Sequence, residues 1–210
     1  MSEEFRPRYP GYDVLDRWNS PDWDDPTREV VRRRLEGIPA PRFFTPAELA
    51  TLEAAVERIL PQPDRGPEAR VPIVPWIDAK LAEDFRDGFR YEGMPAQREL
   101  WRSALVGLDQ TAQALYGRQF TAIEDEDRDE VLRQLEQGHP PGEIWASLGS
   151  GRFFRDTLCA TVVRIYYAHP TAWSETGYSG PSSPRGHIRK WIGGVDPWEP
   201  HERPTRWKTE

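Results

Sequence analysis

The stretch TPAELATLEAAVERILP, residues 45–61, decides the fold class. Thr45 stands where an N-cap hydroxyl accepts a backbone N–H. Pro46 suits the first helical position, which needs no donor, and Glu48 three residues on completes a capping box. Leu49, Leu52, Val56, Ile59 and Leu60 then recur at helical spacing and form one apolar stripe. Pro61 ends the pattern.

The same grammar recurs on both sides. Upstream, "REVVRRRLEG" predicts a short helix over 27–36, stopped by Gly37 and Pro39. Downstream, "PQPDRGPEARVP" reads as a loop because its Pro and Gly density forbids regular structure. Ile77, Leu81 and Phe85 follow every four residues. Trp101, Ala104, Leu105, Leu108, Ala112 and Leu115 form a long stripe over 97–116. "EDRDEVLRQLEQG" closes at Gly138, and "PPGEIWASLG" starts another short helix. "GRFFRDTLCATVVRIYYAHP" puts Phe154, Leu158, Val162 and Ile165 on one face before Pro170. Period-2 alternation occurs only in "VPIV", where prolines argue against a strand. The expectation is an all-α domain of about five to seven helices with long proline- and aromatic-rich arms at both ends. The arm comprises residues 1–26, the helical domain 27–192 and the tail 193–210.

Composition narrows the function classes. With 210 residues the chain suits one domain with long arms. Its 21 prolines are about twice the usual share, so much of the backbone outside the helices is turned or extended. A net charge of −7 argues against nucleic acid, whose binding needs a basic patch. The triple arginine at 32–34 is flanked by Glu29 and Glu36 and reads as a solvated helix face. No apolar run is long enough to span a membrane. The single cysteine, Cys159, excludes an internal disulfide and reads as a buried, inert thiol, with a bridge to another subunit as the alternative.

Catalytic patterns are sparse. There is no phosphate-binding loop and no nucleophile elbow. "GSGR" at 149–152 reads as a break between helices. His139, His169, His187 and His201 show no helical metal spacing, and His169-Pro170 reads as a helix C-cap. The acidic run "IEDEDRDE" at 123–130 suits a solvated helix start. Residues 166–191, "YYAHPTAWSETGYSGPSSPRGHIRKW", are the exception to the helical grammar. Their histidines and serines sit in a Pro/Gly segment, a poor scaffold for a triad. Tyr9, Tyr12, Trp18 and Trp23 in the N-terminal arm are too apolar for a free tail. Such arms either wrap back on the chain's own helices or order on a partner.

The stretch after 166, with "FFTPAELATLEAAVERILPQ", resembles the gluconate 2-dehydrogenase subunit 3 family over roughly residues 40–190. Tyr167, His169, Pro170, Trp173, Gly177, Tyr178, Gly180, Pro181, Arg185 and Gly186 stand in the family's order and spacing. The resemblance implies a small, non-catalytic subunit that binds no cofactor itself. The FAD would belong to a large partner of the glucose–methanol–choline (GMC) oxidoreductase type acting on a sugar or polyol. A cytochrome c often takes the electrons in such complexes. The ten motif residues are then an interface or structural signature, with Trp173 and Tyr178 as anchors and Arg185 able to fork onto a carboxylate. Many members carry a twin-arginine export signal, and "MSEEFRPRYP" is none. That implies a cytoplasmic complex, a periplasmic one whose partner carries the address, or a start further upstream. The residues alone leave two alternatives: a stand-alone metal-binding enzyme using His169 and His187, or an independent adaptor.

Overall fold

The computed structural model describes residues 8–85, 88, 91–184, 186 and 198–200. Among them the regular structure is helical, with no strand beyond one isolated bridge. They form two compact units. One comprises the described residues of Met1–Ile38, Gly66–Val71 and Tyr166–Glu210; the other comprises Pro39–Arg65 and Pro72–Ile165.

The second unit is built around the opening stretch. Helix α2, Pro46–Ile59, starts at a complete capping box: the Thr45 hydroxyl accepts from the Glu48 amide, and Glu48 accepts from the Thr45 amide at 2.8 Å. It packs against α3 (Ile73–Ala82), α4 (Gln97–Tyr116) and α5 (Asp125–Gln137). Leu52 and Val56 of its stripe are buried, with Ala55 beside them. The predicted 97–116 helix is α4, and its stripe is buried from Trp101 to Ala112 while Leu115 is exposed. Gly107 on α4 leaves room for an indole: a Cβ there would lie 2.5 Å from Trp145. Trp145 opens the short helix α6, Trp145–Leu148, and its Nε1 donates to Thr111 Oγ1 at 2.9 Å. Any residue larger than glycine at 107 would push that ring out.

Three local expectations change. Ile73 and Val74 form the first turn of α3 and are buried, and Phe85 lies beyond that helix and is exposed. The prolines around "VPIV" sit where a helix begins and tolerates a missing donor. The chain from Ser150 to Ala168 is α7 (Ser150–Arg152), a π-helical segment (Phe153–Cys159) and α8 (Ala160–Ala168) without a break. The wider π turn shifts the phase, so the buried series is Phe153, Leu158, Val162 rather than one beginning at Phe154. Phe153 meets Trp101 edge-on at 5.6 Å, a contact worth about 0.5–1.5 kcal/mol beyond burial. Third, the loop at 61–72 contains one 3-10 turn, Pro67–Ala69.

In the first unit, a 3-10 turn at Val14–Arg17, helix α1 (Asp25–Glu36) and a 3-10 helix at Pro170–Thr176 enclose a small core. Asp24 caps α1 through the Thr27 amide at 2.9 Å, so the helix starts two residues earlier than its apolar pattern suggests. Val14, Trp23, Val31 and Trp173 form the cluster, with Tyr12, Leu15, Trp18 and Leu35 packed around it.

Candidate interaction segment

The segment from Tyr167 to Gly186 is where the helical pattern stops and the irregular motif begins. His169 ends α8 and starts the next turn. Its amide bonds the Tyr166 carbonyl, and its ring Nδ1 faces the Thr171 amide at 3.4 Å. It therefore closes the C-terminus of α8 and also caps the N-terminus of Pro170–Thr176, and it does so buried. Pro170 and Ala172 are buried with it.

Trp173 is 5% exposed and packs in the core of the first unit. Tyr178 meets it edge-on at 5.2 Å and 87° but is itself 44% exposed. Tyr167 is likewise exposed at 43%, edge-on to the buried Tyr166 at 5.0 Å. Burial pushes the Tyr178 phenol upward in pKa, while the nearby Arg34 charge draws it down. Of the remaining motif residues, Gly180 is buried, Gly177, Pro181 and Gly186 are half-buried, and Arg185 lies outside the described residues, as does His187.

The two glycines are set by geometry. Gly177 has φ +71° and Gly180 φ +80°, the left-handed region that other residues resist. Each also seats a ring from the N-terminal segment. A Cβ on Gly177 would lie 2.6 Å from Tyr9, and one on Gly180 2.6 Å from Trp23. The aromatics of residues 8–23 thus pack on the motif.

Polar groups complete the seam. The Val14 amide donates to Ser174 Oγ at 3.0 Å, and that hydroxyl faces Asp13 at 3.3 Å. Tyr12 Oη donates to the Tyr178 carbonyl at 3.2 Å. Arg17 donates to the Ser179 carbonyl while pairing with Asp22. Thr27 reaches the Ser183 carbonyl at 3.4 Å, and one antiparallel bridge joins Trp23 to Pro184. Of the serine and histidine side chains in this stretch, those of Ser174 and His169 bond the chain's own backbone.

Among the described residues no group of three or more His, Cys, Asp or Glu is arranged to hold a metal. No described helix is long and apolar enough to cross a membrane. Cys159 is half-buried, and burial, with Glu136 adding to it, pushes its thiol up to about 11. Such a thiol is a weak nucleophile at neutral pH.

The acidic run is only partly a solvated face. Arg58 of α2 forks onto Asp129 at 2.7 Å through both Nε and Nη2 and reaches Asp125 at 2.9 Å. The break at "GSGR" is present at Gly149, beside a cleft of about 320 Å3 whose rim carries both Glu92 and Arg152.

One organising residue escaped the sequence reading. Asp78 is fully buried and accepts from three successive amides, Arg42 at 2.6 Å, Phe43 at 3.0 Å and Phe44 at 2.8 Å. It holds the turn that leads into α2. The only local signal was an acid one position after the apolar Ile77, on the buried side of a short helix.

A model of the family described as gluconate 2-dehydrogenase subunit 3 matches residues 46–180. No curated protein and no solved structure matches the chain.

Proposed function

Since the chain belongs to the gluconate 2-dehydrogenase subunit 3 family, we propose that it is a non-catalytic small subunit that binds and stabilises the FAD-containing subunit of a sugar or polyol dehydrogenase. The partner is a GMC-type flavoprotein, and a cytochrome c or similar carrier takes its electrons. The flavin and the substrate chemistry belong to that partner, and assembly of the complex is the part played here.

The observation that carries this reading is how the motif uses its residues. His169 caps a turn through a ring nitrogen, and Ser174 receives the Val14 amide on its hydroxyl. Groups engaged in holding backbone are poorly placed to act as acid, base or nucleophile. The same segment presents Tyr167 and Tyr178 outward on rigid aromatic supports. Tyrosine on a preformed surface is a typical anchor, because little side-chain freedom remains to be lost on association.

Co-expression with the GMC-type flavoprotein of the same organism tests the proposal. The expected result is a stable complex on size-exclusion chromatography and a larger yield of soluble, FAD-loaded flavoprotein. A chain that does not associate, and that leaves flavoprotein yield and dehydrogenase activity unchanged, overturns it.

A further inference from the structure

The four arginines of α1 are used unequally. Arg28 pairs with Asp25 at 2.7 Å and donates to the Trp18 and Ser20 carbonyls. Arg32 and Arg33 share Glu29, at 2.8 and 3.4 Å. Arg34 has no carboxylate partner among the described residues. One of its guanidinium nitrogens, Nη1, donates to the Ala168 carbonyl at 3.3 Å, at the end of α8. That bond satisfies a carbonyl that the helix leaves open. It uses one donor of a five-donor fork on an exposed side chain.

The surroundings of Arg34 have the composition of a binding hot spot. Ala168 follows Tyr167, and the Arg34 charge acts on the Tyr178 phenol. Both tyrosines are exposed, and each is braced edge-on by a buried aromatic, Tyr166 or Trp173. Val30 lies one turn before Arg34 on the same face of α1 and is 47% exposed. A guanidinium with free N–H groups matches a carboxylate in both charge and geometry, and it does so better than an ammonium. The chain as a whole is acidic, so a cation without an acid beside it stands out.

We propose that Arg34, with Tyr167, Tyr178 and Val30, receives an aspartate or glutamate carried on an otherwise apolar segment of the flavoprotein subunit. The inference rests on the subunit reading above and adds the chemistry of the contact. The carboxylate takes the unused side of the guanidinium fork. The tyrosines and Val30 exclude water around the pair, which raises the value of the contact over that of an exposed ion pair.

The test measures binding of the full-length chain to the purified GMC-type flavoprotein by titration calorimetry at low and at high salt. Arg34→Ala is expected to weaken binding at least tenfold, Arg34→Lys less, and Tyr178→Ala by several-fold. Arg33→Ala, which removes a neighbouring and already paired charge, is expected to stay within about twofold. The salt dependence of binding should shrink in Arg34→Ala.

Arg34→Gln guards against loss of fold, since its amide can still donate to the Ala168 carbonyl while the charge is gone. With circular dichroism unchanged, it should bind as weakly as Arg34→Ala. Wild-type protein that binds the flavoprotein while Arg34→Ala and Arg34→Gln bind equally well overturns this inference and leaves the subunit reading standing. Wild-type protein that does not bind at all sinks the subunit reading itself. A second copy of this chain held through Arg34, seen as a dimer that Arg34→Gln dissociates, also overturns the inference.

Discussion

Gly180→Ala is the sharpest probe of the seam between the N-terminal segment and the motif. Two costs add. The backbone has φ +80°, and a left-handed conformation costs an alanine about 1–2 kcal/mol. The new Cβ would also stand 2.6 Å from Trp23 Cζ2 and 3.0 Å from Val14 Cγ2, where carbon atoms prefer about 3.5–4.0 Å. Trp23 and Val14 are almost completely buried, so neither can simply turn away. Overpacking of this kind adds about 1–3 kcal/mol.

The expected loss is therefore about 2–5 kcal/mol, a large part of a small domain's stability. Trp23→Leu alone should cost about 2–4 kcal/mol through lost burial and a cavity. Combined, the two changes should cost about 1–3 kcal/mol less than their sum, because the ring that clashed is no longer there. Urea midpoints followed by far-UV circular dichroism measure each corner of the cycle. Hydrogen exchange of amides 171–180 reports the same loss locally. Strict additivity, within about 0.5 kcal/mol, would refute the claim that Gly180 is small because Trp23 sits on it.

Two further outcomes are expected. Asp78→Ala should cost about 3 kcal/mol or more, since three amides lose a charged acceptor in a buried site; Asp78→Asn, which keeps one acceptor oxygen, should cost less, and an equal loss for both would count against the three-amide account. The Arg58 guanidinium holds the Asp129 carboxyl below the usual carboxylate range. Its contribution to stability is therefore complete above the unfolded value of about 4 and is lost as pH falls from there through the depressed folded value. Urea midpoints measured from pH 7 downward should show a shallower acid decline in Asp129→Asn than in wild type, and identical slopes would show that the pair is not linked to folding.

Much of the helical plan was legible because its causes are local. The Thr45–Glu48 box and the stripe on α4 depend on residues within a turn or two of one another. Where local rules misled, another local geometry had intervened. The π turn moved the buried aromatic from Phe154 to Phe153, and "VPIV" entered a helix because prolines are also tolerated at a helix start. Asp78 was invisible for a different reason: its partners lie 34 to 36 residues earlier in the chain, in a loop with no period to read.

The sequence by itself determined the helical class, the main helix boundaries and the end of the α-helical pattern at His169-Pro170. It also determined that Tyr9, Tyr12, Trp18 and Trp23 had to be covered, because their apolar area is too large to leave in water. What covers them was a tertiary decision. Val14 and Ser174 are 160 residues apart, and no pattern along the chain announces that the amide of one meets the hydroxyl of the other. Gly177 and Gly180 stand in the motif as glycines, but only the packed structure shows that they are seats for Tyr9 and Trp23. Local propensity acts between neighbours in sequence, whereas burial is indifferent to chain distance and is settled only when the chain has folded.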